Sequence, residues 1–156
     1  MVREEYSVSL KSIVEEQGLT VLHAAKDFDT ARVATADINR PALQLAGFYD
    51  YFDPKRLQLI GRVESTYLQT LGDEARLAAL ERFMRFDISA LILCHDTQPM
   101  PEPMALAEKY DRNLLSPQEA TPPFMAALLS TLRPALPPPA AAKENQTRLN
   151  RSGTMP

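Results

Sequence analysis

Hydrophobic residues recur along this chain at two spacings, and the spacing changes from segment to segment. Leu10, Ile13 and Val14 repeat at helical intervals after Ser7 and Ser9, either of which can cap a helix that Gly18 is placed to end. LTVLHA (19–24) is a short apolar run that predicts a buried strand, and KDFDTARVATADI (26–38) predicts aspartate turns around a β-prone Val33. In DINRPALQLAGFYDYF (37–52), Asp37 or Asn39 can cap a short helix with Pro41 in its first turn, where no amide donor is needed. Leu43 and Ala46 fall three apart and predict its inward face, and Gly47 suits a left-handed end. Phe48, Tyr49, Tyr51 and Phe52 follow; the expectation is that both phenylalanines enter the core and both tyrosines lie at its margin.

RLQLIG (56–61) has a strand's composition, with Leu57 and Leu59 on one face, and ESTYLQTLG (64–72) reads as a helix ended by Gly72. DEARLAALERFMRF (73–86) predicts a helix capped by Asp73, with a stripe of Leu77, Leu80, Phe83 and Met84. SALILCH (89–95) is apolar nearly throughout, as in a strand at the centre of a parallel sheet. PMPEPMALAEKYD (99–111) becomes a helix after its prolines, and RNLLSP (112–117) predicts a short strand. The last helix lies in PQEATPPFMAALLSTLRP (117–134), its regular part beginning after Pro122-Pro123. Strands alternating with helices predict an α/β fold: one domain over residues 1–133, with a mostly parallel sheet flanked by helices. From Pro134 the periodicity stops and four prolines fall within six residues, so 134–156 is expected to be a stiff spacer and a disordered polar tail.

Composition changes this picture little. With 45% hydrophobic and 24% charged residues, a 156-residue chain can bury a core without staples. Cys94 is the single cysteine, which excludes an internal disulfide and fits a reducing compartment. The charged start MVREEYSVSL predicts no signal peptide, and no apolar run reaches membrane-spanning length, so a cytoplasmic protein is expected, without a membrane partner. Charge sharpens one exclusion. Lys143, Arg148 and Arg151 against Glu144 give the tail +2, so a formal total of −3 leaves −5 on residues 1–133. Nucleic acid is not an expected partner of an acidic body, because phosphate contacts need a basic face.

Candidate chemistry is sparse. A phosphate loop needs G-x-x-x-x-G-K-[ST], and none of Gly18, Gly47, Gly61, Gly72 and Gly153 begins one. GRVEST (61–66) comes nearest; it reads first as a tight strand-to-helix turn, and second as a helix start whose free amides could hold an anion. Cys94-His95 falls on a strand, where neighbouring side chains point to opposite faces, so a nucleophile–base pair is awkward. His23 and His95 lack a clear third metal ligand, and Glu15-Glu16 and Asp73-Glu74 read as solvated helix faces. No cofactor, metal or catalytic residue is expected.

YSVSLKSIVEE (6–16), DINRPALQLAGFYDYF (37–52), RLQLIGRVESTYL (56–68) and ALILCHDTQPMPEPMALAEKYDRNLL (90–115), in this order, resemble the amino-terminal domain of bacterial HPr kinase/phosphorylase. The resemblance runs from about Tyr6 to Arg133 and implies a domain similar to the amino-terminal, nucleotide-sugar-binding domain of Mur ligases. In that family a following phosphate-loop domain phosphorylates and dephosphorylates a serine of HPr, a carrier in sugar uptake, and so ties carbon status to gene regulation. The motif residues the resemblance carries over are Asn39, Arg40, Pro41, Gln44, Gly47, Phe48, Gly61 and Glu64, and none is catalytic. It implies a stand-alone, non-catalytic regulatory or interaction module whose protein partner is a separately encoded kinase domain or a second copy. One alternative is part of a split or truncated HPr kinase/phosphorylase. The other is a sensor of nucleotide sugars or phosphosugars, with its crevice near Asn39, Arg40, Gly61 and Arg62 at the carboxyl ends of the strands.

Overall fold

A computed structural model describes residues 7–94 and 100–136, with the backbone alone at Ala135. His95 and the tail from residue 137 lie outside the described residues. The elements follow as β1 (Val8–Ser9), α1 (Leu10–Gln17), β2 (Thr20–His23), β3 (Arg32–Val33), α2 (Ala42–Leu45), β4 (Gln58–Ile60), α3 (Arg62–Gln69), α4 (Asp73–Met84), β5 (Leu91–Leu93), α5 (Glu102–Tyr110), β6 (Leu114–Ser116) and α6 (Thr121–Ala135). The main sheet has the order β2-β6-β5-β4. Strands β4, β5 and β6 run parallel and β2 antiparallel to β6, so the α/β fold is built on a mixed sheet. β1 and β3 form a small antiparallel ribbon beside it.

Period-two alternation divides the sheet's side chains between two cores. Leu57, Leu59, Ile92 and Leu115 pack with Leu10, Ile13 and Val14 of α1 and with Phe124, Leu128 and Leu132 of α6. Ile60, Leu91 and Leu114 point the other way, onto Leu68 of α3, Leu80, Phe83 and Met84 of α4, and Leu106 and Ala107 of α5. The strand expected at 56–61 is therefore buried on both faces, not on the Leu57–Leu59 face alone.

Helix α1 is bounded as expected: the Ser12 amide donates to Ser9 Oγ at 3.0 Å, and Gly18 ends the helix at φ 65°. Several other expectations are corrected. β2 is an open edge, not a buried strand; Val21 and Leu22 are more than a third exposed, and a register shift between Val21 and His23 irregularises it. Such irregularities blunt an edge against pairing with another chain. Gly72 starts α4 instead of ending α3, and takes the cap position expected of Asp73. Leu77 leaves the predicted stripe for solvent. α6 begins at Thr121, with both prolines inside its first turn, and runs through Pro134.

Helices α4 and α5 are joined at the surface by Glu81, whose Oε2 accepts from Lys109 Nζ at 2.7 Å and from the Tyr110 hydroxyl at 2.6 Å. The Lys109 hydrogen bond first, and the Tyr110 bond second, hold the Glu81 carboxyl below its ordinary range. A lowered folded value means that stability from this pair is present above the free glutamate pKa of about 4.3 and is lost as pH falls through the folded value. Below about pH 4 the melting temperature of the native chain should therefore drop more steeply than that of Glu81→Gln; equal slopes in a thermal melt series would contradict the pairing.

Candidate functional site

Segment 37–52 is an amide-tied strap laid along the outer edge of β4. The Asn39 amide donates to Leu57 O at 2.9 Å and the Leu59 amide donates to Asn39 O at 2.9 Å, so residue 39 pairs with the sheet as a parallel bridge to Gln58. Its side chain does not cap a helix. Asn39 Nδ2 donates to Gln58 Oε1 at 2.7 Å and to Gln44 Oε1 at 3.1 Å. Gln58 in turn donates from Nε2 to Arg56 O at 3.1 Å. Gln44 and Gln58 are both buried, and this exchange satisfies amides that would cost about 1–3 kcal/mol each if left unpaired.

Helix α2 is a single turn with Pro41 at its cap position and no side-chain cap. Its buried residues are Gln44 and Leu45; Leu43, expected inward, is 61% exposed, and Ala46 is exposed too. The cause is the amide network: once Gln44 turns toward Asn39, Leu43 on the far side of the turn faces solvent. Gly47, at φ 107°, then reverses the chain, and the Phe48 amide donates to Leu43 O at 2.9 Å. Phe48 ends half exposed, which corrects its expected core position, and Tyr49 packs inward in its place. The Tyr49 ring stacks on Phe86 at 4.8 Å and meets Phe52 edge-on at 5.6 Å, and the Arg82 guanidinium lies 4.8 Å from its centroid. Burial pushes the Tyr49 phenol up from its ordinary value, against the pull of Arg82. Tyr51 is fully exposed and held at φ 64°.

A second polar cluster closes the start of α3. Glu64, 2% exposed, accepts on one oxygen both the Gly61 amide and Arg40 Nη2, each at 2.8 Å. The helix start considered for anion binding thus already has its own carboxylate, Glu64 at the third helical position reaching back to the Gly61 amide. Thr121, at the start of α6, closes the cluster from above. A methyl added at Gly61 would come within 2.6 Å of Thr121 Oγ1 and 2.8 Å of Arg40 Nη2. Asn39, Arg40, Pro41, Gln44, Gly61 and Glu64 are therefore brought together at β4, while Phe48 and Arg62 are exposed. Thr121 was missed from sequence, because nothing local in TPPF reveals a contact with a glycine sixty residues earlier. Arg40 Nε is buried without a hydrogen-bond partner among the described residues.

Other candidates do not assemble. Cys94 is buried, and its expected neighbour His95 lies outside the described residues. His23 Nδ1 donates to Arg112 O at 3.0 Å, and no group of three His, Cys, Asp or Glu side chains suited to a metal occurs among the described residues. A cleft of about 220 Å3 lies at the end of the sheet where β5 and β6 begin, between Lys26, Asp87 and Arg112. No helix among the described residues is long and apolar enough to cross a membrane.

Gly61→Ala should lower stability by about 1–3 kcal/mol, the usual cost of forcing a group into filled space. Gly72→Ala, whose methyl meets nothing within 4 Å, serves as the control and should cost less than about 1 kcal/mol. Equal losses in urea titrations would contradict the tight closure at Gly61.

The HPr kinase/phosphorylase of Thermoanaerobacter sp. (strain X514) is 34% identical over 131 residues, 84% of this chain and 43% of that protein. That of Caldicellulosiruptor bescii is 33% identical over 150 residues, 96% of this chain and 45% of that protein. The chain thus spans under half the length of these relatives. Among solved structures, the CBS and DRTGG domains of the regulatory region of Clostridium perfringens pyrophosphatase, complexed with its activator diadenosine tetraphosphate, share the fold. The TM-score is 0.52 at 12% identity, over 91% of this chain and 59% of that one. The family described as HPr Serine kinase N terminus matches residues 8–132, and this chain belongs to it.

Proposed function

We propose that this chain is a non-catalytic regulatory or interaction module of HPr kinase/phosphorylase signalling, acting on a kinase domain that carries the phosphate loop. One observation carries the reading: the polar motif residues are spent on one another. Asn39, Gln44 and Gln58 satisfy one another, and Glu64 takes the Gly61 amide and Arg40. What the motif presents to solvent instead is the apolar strap of Leu43, Phe48 and Tyr51. A buried lattice of amides holding exposed apolar residues is suited to contact with another polypeptide and unsuited to phosphoryl transfer, which needs amides and a lysine open to the nucleotide. The kinase activity in the relatives' names, and with it a link to sugar uptake, comes to this chain only as its setting.

A second reading, small-molecule sensing as the family resemblance implies through the Mur ligase domain, is favoured by the buried Arg40 Nε at the strand ends, which has no acceptor among the described residues. The fold it shares with a regulatory region crystallised with a dinucleotide activator is in keeping with that role.

The discriminating experiment mixes the purified chain with HPr and ATP, alone and together with an HPr kinase/phosphorylase from which the matching amino-terminal part has been removed. Alone, the chain should give no phosphoserine; added in trans, it should change the truncated enzyme's rate by several-fold. Phosphoserine formed by the chain alone would overturn the reading, and so would a rate indifferent to it. A melting temperature raised by nucleotide sugars or phosphosugars in the native chain and unmoved in Arg40→Ala would favour the sensor.

A further inference from the structure

The surface beside the polar motif carries a consequence for partner chemistry. Leu43, Phe48 and Tyr51 are 61%, 48% and 100% exposed, and Phe86 is 38% exposed where it meets Tyr49 and Phe52. These are one surface: the Phe48 amide bonds Leu43 O, a methyl at Gly47 would lie 3.8 Å from Arg82 Nη1, and Arg82 in turn covers the Tyr49 ring that stacks on Phe86. Tyr51 is held outward at a positive φ that a non-glycine residue rarely adopts, and backbone strain of this kind is retained where the surroundings fix it and concentrates at binding sites.

Charge identifies the kind of partner. The body of the chain is acidic, and most of its described cations sit within ion-pair distance of a carboxylate: Lys11 with Asp29, Arg40 with Glu64, Lys55 and Arg112 with Asp87, Arg56 with Asp37, Arg76 with Glu102 and Lys109 with Glu81. Arg82, which lies over Tyr49 of the strap, and Arg85, the residue just past the end of α4, are both exposed and have no carboxylate within that distance among the described residues, although Arg85 acts electrostatically on Glu81. Two exposed arginines outside ion-pair distance of any described carboxylate, beside four exposed apolar side chains, match a segment carrying carboxylates next to an aromatic or aliphatic anchor.

We propose that the strap 43–51 and the adjoining residues 82–86, at and just beyond the end of α4, form a docking surface for an acidic polypeptide segment with an apolar anchor. This rests on the reading of the chain as an interaction module and names its partner's chemistry. The exposed Asp50 of a second copy is the competing source of a carboxylate, and self-association is therefore an outcome of the test.

The probe is a random dodecapeptide library displayed on phage and panned against the full chain, with the enriched sequences synthesised and titrated calorimetrically. Enriched peptides should combine Asp or Glu with an aromatic or aliphatic residue. They should bind at least tenfold more weakly to Arg85→Glu and to Tyr51→Asn, with Lys11→Glu, on α1 at the other face of the sheet, unchanged. Tyr51→Asn keeps a residue that tolerates the left-handed backbone, so a melting temperature near the native one separates lost docking from lost folding. Failure to enrich, peptides without acidic residues, affinities indifferent to both substitutions, or a concentration-dependent dimer abolished by Tyr51→Asn would each overturn the proposal. The titration contains no kinase, so its failure leaves the trans effect on the truncated enzyme standing, and failure of that effect leaves peptide binding to be read.

Discussion

One side-chain amide sets the local architecture: Asn39 Nδ2, shared between the carbonyl oxygens of Gln58 and Gln44. Gln58 is fully buried on the outermost parallel strand, where a side-chain amide without a partner would be a standing cost. Asn39 removes that cost and, through its own backbone, covers the free edge of β4. Because the same amide reaches Gln44, it also fixes which face of the α2 turn packs inward. Leu45 then enters the core between the sheet and α4, and Leu43 is left outside. The reversal at Gly47 and the inward turn of Tyr49 follow from that placement.

Family membership and this geometry address different questions. Membership says which larger system the domain belongs to, and the geometry says how its shared motif is used. In this chain the side chains of Asn39, Arg40, Gln44 and Glu64 bond one another and the Gly61 amide, and so tie the strap to β4 and the start of α3. A motif used this way is demanding of residue type for structural reasons. The Arg40 guanidinium reaches a carboxylate through a gap that only a glycine at 61 leaves open, and Glu64 must be an acid to receive it. The Arg40 Nε, by contrast, has no acceptor among the described residues.

The fold was legible where the signal is periodic. Leu10, Ile13 and Val14 mark α1, Leu80, Phe83 and Met84 mark the buried side of α4, and the unbroken apolar run at 90–94 marks the central strand β5. Errors arose where tertiary contacts override local preference. Leu43 and Ala46 have helical spacing, but a four-residue turn is too short for periodicity to decide its facing, and Gln44 is drawn in by partners at 39 and 58. TVLH has the composition of an interior strand yet lies at the open edge, because strand order is a property of the whole sheet. Phe48 and Tyr49 exchanged expected roles for a similar reason: the backbone reversal at Gly47, not ring hydrophobicity, decides which aromatic faces Phe86. At the site, the family resemblance picked out the residues, but their mutual bonding and the contribution of Thr121 required the three-dimensional contacts.

Native-state hydrogen exchange on Asn39→Ala tests most directly whether this amide anchors the strap. If it does, protection at Leu59, Gly47 and Phe48, whose amides bond within the strap or to it, should fall together while the β5–β6 pairing keeps its protection. Unchanged protection across 39–52 in the variant would contradict the account, because the strap would then be held by something other than Asn39.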